Sequence, residues 1–207
     1  MRQIQISSVL EPLDDPELLA RSLEALALAQ AMGLLPDGPE LERLDLGALR
    51  TVAAEAGRAG IGARAAAQLA SPLLDTAGLR TALATLIEAL QESPLPAREW
   101  ASLVELLGAD LLAGLLGISA SSVRRYASGA RRTPDEVAMR LHFLATVVAD
   151  LLGTYNAQGV RRWFDRPRAA LGGRSPRAVL RGAWSPEDEG PRAVRALAHA
   201  LTAGSAT

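Results

Sequence analysis

Between Ala109 and Ser128 the chain reads Ala-Asp-Leu-Leu-Ala-Gly-Leu-Leu-Gly-Ile-Ser-Ala-Ser-Ser-Val-Arg-Arg-Tyr-Ala-Ser, and three of those positions restrict what it can become. Ala113 is small where two short helices would come closest, Gly117 can take the positive φ that ends the first of them, and Val123 is apolar where the second must face a core. The spacing predicts two helices crossing over a tight turn, a helix-turn-helix. Ser119 is placed to cap the second helix. On that helix Ala120, Val123 and Ala127 share one face, and Ser121, Ser122, Arg124, Arg125 and Ser128 project from the other.

An exposed face of serines and arginines suits the major groove of double-stranded DNA. Serines near the helix N-terminus can bond phosphates or base edges, and arginine can bond guanine bidentately. Arg131 and Arg132, in the loop after Gly129, would reach adjacent phosphates. The expected DNA-binding set is therefore Ser119, Ser121, Ser122, Arg124, Arg125, Ser128, Arg131 and Arg132, with an operator as the partner. An ordinary helical corner could place Ala, Gly and Val at the same offsets. The charge distribution favours the binding interpretation: residues 1 to 118 hold 8 Arg against 16 acids, whereas residues 119 to 182 hold 12 Arg against 4, so the formal net charge of -1 hides a basic middle.

The surrounding sequence predicts an all-α fold. Aromatic residues make up 3% of the chain, and alternating apolar and polar runs are nearly absent, apart from a possible extended arm at Gln3 to Val9. Helices are expected from Pro16 to about Met32, stopped by Gly33 and Pro36, with Leu18, Leu19, Leu23, Leu26 and Ala29/Gln30 recurring at helical steps. Others are expected from Glu40 to Ala59, from about Gly62 to Ala70, and from Thr76 to Gln91. Ser93-Pro94-Leu95-Pro96 is the sharpest break. It sets off a helical N-terminal module, 1–95, from a helix-turn-helix domain, 96–152, and a small helical C-terminal domain, 153–207.

Composition narrows the chemistry. There is no cysteine and there are two histidines, His142 and His199, so disulfides, thiolate chemistry and cysteine-based zinc sites are excluded and no metal or other cofactor is expected. No carboxylate pair or Ser/His/Asp set emerges, which points away from an enzyme. The chain lacks both an apolar run long enough to cross a bilayer and a signal-peptide-like start, so the expectation is a cytoplasmic protein with no membrane partner.

Beyond the helix-turn-helix, Thr133 as cap, Pro134 at the first helical position and the acids Asp135 and Glu136 in the first turn predict a helix running to about Leu152. Its apolar residues cover more than one face, so it either forms a core or seals a homodimer. Trp163 and Phe164 read as core anchors and His142 as a packing residue. Pro167 ends their helix, Gly172-Gly173 makes a tight turn, and Ser175-Pro176 starts a short helix to about Arg181. Gly172-Gly173 lacks the preceding strand and the following Gly-Lys-Ser/Thr of a phosphate loop. Ser185 to Pro191 reads as a polar loop, and Arg192 to Thr202 as a last helix with Val194, Leu197, Ala198 and Leu201 inward.

The order Tyr155-Asn156-Ala157-Gln158-Gly159-Val160-Arg161-Arg162-Trp163-Phe164, then Asp165-Arg166-Pro167-Arg168, Leu171-Gly172-Gly173 and Ser175-Pro176, resembles the Xre/MbcA/ParS family of antitoxins over roughly residues 105 to 204. In that family a helix-turn-helix precedes a toxin-binding domain. The resemblance implies a partner toxin with an NAD-consuming RES domain, whose active-site entrance the antitoxin blocks, and a homodimer that represses its own operon at a palindromic operator. It puts the toxin-facing surface on Arg166, Arg168, Arg174, Arg177, Arg181, Trp184 and the tail. Two features depart from the family pattern: the first 95 residues exceed what a typical antitoxin needs, and the tail is short and poor in charge. A stand-alone helix-turn-helix regulator without a toxin, and an interaction module that does not bind DNA, remain as alternatives.

Overall fold

The structure, a computed structural model, describes residues 4–35 and 40–204, with side chains described to residue 201. Pro36, one of the two expected stops of the first helix, lies outside the described residues. The fold is predominantly helical, as the composition predicts, and contacts divide it into two compact units, Met1–Ser93 and Pro94–Thr207.

In the first unit strand β1 (Ile4–Val9) is followed by α1 (Pro16–Ala31), β2 (Leu41–Leu44), α2 (Leu46–Arg58), α3 (Ala63–Ala70) and α4 (Thr76–Glu92). The strands pair in parallel, with Ile4 opposite Leu41 and Val9 opposite Leu44. The expected helix from Glu40 to Ala59 is thus a strand followed by a helix. Leu41 and Leu44, three apart, fit a helical stripe on paper. The helix nevertheless begins after Asp45, whose carboxylate accepts the Ala48 N–H at 2.9 Å and fixes α2's first turn. Asp15 and Asp75 cap α1 and α4 in the same way.

The inward seam of α1 follows the helical steps of its apolar residues except at Leu23. Leu18, Ala25, Leu26 and Ala29 are buried, but Leu23 is 40% exposed. Ser22 and Ala25, both small, take the inward positions where α1 packs along α4.

The second unit is built on α5 (Pro96–Leu107), α6 (Ala109–Leu116), α7 (Ala120–Ala127), α8 (Asp135–Leu152), α9 (Ala157–Asp165), α10 (Pro176–Val179) and α11 (Glu189–Gly204), with a 3-10 turn at Ala169–Leu171. Every residue from Leu141 to Asp150 is buried, because α5, α6, α9 and α11 all pack on α8. That helix is the core of the unit, the first of the two roles its apolar faces allow. The segments 96–152 and 153–207, expected as separate domains, share this core. Two backbone carbonyls of α5, those of Leu106 and Glu105, accept from the Arg161 guanidinium of α9 at 2.7 and 2.9 Å.

Two helix starts shift. Pro134, not Thr133, occupies the cap position of α8, and the Thr133 hydroxyl instead accepts the Trp100 indole N–H at 2.8 Å. The last helix begins at Glu189, three residues before the expected Arg192, with Gly190 and Pro191 inside its first turn, where a missing N–H costs nothing. The short helix after Ser175 ends at Val179, two residues before Arg181.

Candidate nucleic-acid interface

The turn between α6 and α7 has the local structure its residues demand. Gly117 sits at φ 69, ψ 30 and ends α6, its N–H donating to the Ala113 carbonyl. Ser119 is extended, and its Oγ accepts the Ser122 N–H at 3.1 Å, capping α7. The same Oγ lies 2.9 Å from the hydroxyls of both Ser121 and Ser122, so the three serines form one small hydroxyl cluster at the start of the helix.

The buried face of α7 is Val123 and Tyr126. Ala127, expected inward with Ala120 and Val123, is exposed. The aromatic ring wins the inward position because Trp100 of α5 offers it a platform: the two rings stack at 5.5 Å with an interplanar angle of 27°. The opposite face carries Ser121, Arg124, Arg125 and Ser128, all exposed, with Ser122 half-buried. The Arg125 Nε donates to the Ser121 carbonyl at 3.4 Å, and the Ser128 hydroxyl donates to the Arg125 carbonyl at 3.2 Å.

The loop after α7 extends this surface. Arg131 lies over the outer side of Tyr126, its guanidinium carbon 5.7 Å from the ring centroid, which limits the directions it can sample. Arg132 is 3.6 Å from Asp135, but both side chains are more than nine-tenths exposed and such a pair is weak. Residues 119 to 132 contain four arginines and no acid. Chemically the surface is a set of guanidinium donors and short hydroxyls on a capped helix, the donor types that can bond phosphates and guanine edges.

The residues assigned to a protein partner are less uniform. Arg166, Arg174, Arg177 and Arg181 are exposed, and Arg177 pairs with Asp165 at 3.2 Å. Arg168 is half-buried with its guanidinium 5.5 Å from the centre of the Trp163 ring. Trp184 is different in kind. It is buried, its indole N–H donates to the Leu115 carbonyl at 2.8 Å, its ring meets Phe143 edge-on at 5.2 Å, and Arg140 stacks over it. Trp184 is an internal anchor of the helix-turn-helix and is not on the surface where a partner would touch it.

Arg140 was not singled out by sequence reasoning, yet it joins the same elements. Its Nε donates to the Trp184 carbonyl at 2.6 Å and its Nη1 to the Leu116 carbonyl at 3.3 Å. An arginine amid the apolar stripe of α8 was the available signal. His142 packs as expected, with Nδ1 2.6 Å from Glu99 Oε1, and Glu99 in turn accepts the Leu95 N–H at 3.1 Å. On α11, Arg195 and His199 approach Asp150 at 3.4 Å each. Burial pushes the Asp150 carboxyl above its ordinary range, against the opposing pull of Arg195 and His199.

Among the described residues no cluster of three or more His, Asp or Glu is placed to hold a metal ion, and no single helix is long and apolar enough to cross a membrane. Compared with known proteins, the chain matches no family model, no curated protein and no solved structure.

Proposed function

We propose that the chain is an antitoxin-like transcriptional repressor that binds an operator as a homodimer and holds a RES-type toxin through residues 153–207. One observation carries the DNA-binding part: the exposed face of α7 and its following loop present Arg124, Arg125, Arg131 and Arg132 with no acid among them, on a helix whose turn and cap are fully formed. In this reading the N-terminal end of α7 enters the major groove. Arg124 and Arg125 bond base edges or the flanking phosphates, Ser121 and Ser128 supply shorter bonds, and Arg131 and Arg132 grip the backbone. A dimer would present two such helices to half-sites about 34 Å apart, one turn of the duplex.

The toxin-binding part rests on the resemblance of residues 105 to 204 to the antitoxin family, supported by the exposure of Arg166 and Arg174. Trp184 drops out of that surface because it is buried. The test of the DNA-binding part is a gel shift on duplex from the promoter of the chain's own gene. Arg124→Ala with Arg125→Ala should abolish the shifted band while the melting curve stays unchanged. Purification together with the product of the adjacent reading frame tests the toxin-binding part: a stable complex with a RES-domain protein supports it, and the absence of any complex rejects it.

A further inference from the structure

A groove of about 570 Å³ lies between α6 and its turn on one side and the α10 segment on the other. Its floor is made of small residues, among them Ala113, Gly114 and Ala178, and the charged side chains lining it are Arg177 and Arg181. No acid lines it. The Arg177 guanidinium lies over α6, with Nη2 and Nε 3.7 and 3.8 Å from where a Cβ on Gly114 would stand. Its pairing with Asp165 is half-exposed on both sides and leaves it available to a stronger anion.

The α10 segment is held in fixed register to the turn. A Cβ on Gly117 would fall 2.2 Å from the Gly182 carbonyl oxygen, so the two backbones touch at this point. Trp184 donates to Leu115, and Arg140 bridges Leu116 to Trp184. Ile118, which also lines the groove, directly precedes the Ser119 cap of α7. The two arginines are therefore carried on a segment locked against the turn that aims α7.

We propose that Arg177 and Arg181 grip the DNA phosphodiester backbone beside the groove that α7 enters, so that this segment belongs to the DNA interface. The proposal rests on the operator-binding reading above and deepens it. Two exposed guanidiniums, one of them held only by a half-exposed pair with Asp165, match a polyanion, and phosphate contacts of this kind fix register while carrying no sequence information.

The experiment is a fluorescence-anisotropy titration of the full chain over a series of salt concentrations. It uses duplex recovered by the wild-type protein from a random-sequence pool, and a scrambled duplex of the same composition. Arg177→Gln with Arg181→Gln should make the slope of log affinity against log salt shallower by about two, and weaken selected and scrambled duplex equally. Arg177→Lys with Arg181→Lys should restore the slope. Arg181→Gln alone, at an exposed position, should remove about one from it and guards against a folding defect in the double variant.

A slope unchanged in both glutamine variants while wild-type binding is intact overturns the proposal. Loss of binding to a co-expressed RES-domain protein, with that unchanged slope, would return the two arginines to the protein-binding side. Recovery of no duplex at all by the wild-type chain would reject the operator-binding reading together with this one.

Discussion

Gly117 and Gly182 meet backbone to backbone: a Cβ added to Gly117 would stand 2.2 Å from the Gly182 carbonyl oxygen, and Gly117 also holds a φ of 69°. Gly117→Ala should therefore destabilise the second unit by about 2–4 kcal/mol, the left-handed backbone and the clash adding together. Gly129→Ala is the control. Its φ is 72° and no described residue lies within 4 Å of the added Cβ, so only the backbone cost of about 1 kcal/mol should appear in urea melts. Equal losses in the two variants would contradict the close contact.

Trp184→Ala should cost about 3–5 kcal/mol, as expected for a large buried side chain. Trp184→Phe keeps the contact with Phe143 but leaves the Leu115 carbonyl without its indole donor, at about 1–3 kcal/mol. Both are read by thermal or urea denaturation of the free protein. A Trp184 that faced a partner would leave those melts untouched and show its loss in complex formation alone.

How much could be read from the sequence depended on whether a residue's role was local. The α6–α7 turn was legible because Gly117 and Ser119 act on their own backbone, within one helical turn. Tyr126 was missed because its inward position depends on Trp100, 26 residues earlier, and the period of small residues alone favoured Ala127. Strand β2 was hidden since Leu41 and Leu44 satisfy a helical spacing as well as a strand anchored at both ends, and only the Asp45 cap separates the two. Trp184 and Arg140 were opaque for a similar reason: their partners are backbone carbonyls, of Leu115 for the first and of Leu116 and Trp184 for the second, and nothing in a one-dimensional pattern marks a carbonyl that needs a donor.

Ser119 offers a way to separate capping from DNA contact. Ser119→Ala removes the bond to the Ser122 N–H and should cost about 1 kcal/mol. Ser119→Asp keeps a capping oxygen, so stability should return, but it sets a negative charge on the face proposed to meet DNA, and affinity for duplex should fall further. If Ser119→Asp bound DNA as well as the wild type, the N-terminal end of α7 would not lie in the groove.

Burial of Asp150 should give the second unit a pH dependence. Burial raises its carboxyl above its ordinary value of 3.8. A carboxyl whose pKa is higher in the folded than in the unfolded chain favours folding below the unfolded value, and loses that contribution as pH rises through the folded one. Asp150→Asn stays neutral throughout. Its stability relative to the wild type should therefore increase as pH rises from below 3.8, and denaturation at several pH values checks this. A difference that is flat, or that shrinks with pH, would show that Arg195 and His199 outweigh the burial.

The central claim is that the arginine face of α7 binds operator DNA. Its most direct measurement is the equilibrium affinity of the wild type and of the Arg124→Ala, Arg125→Ala variant for a selected and a scrambled duplex near physiological salt. The account predicts tight, salt-sensitive, sequence-selective binding by the wild type. In the variant it predicts loss of that selectivity and at least a tenfold drop in affinity, on the scale of roughly 1–3 kcal/mol for each lost bidentate contact, with an unchanged melting curve. Equal affinity and equal selectivity in the two proteins would contradict it.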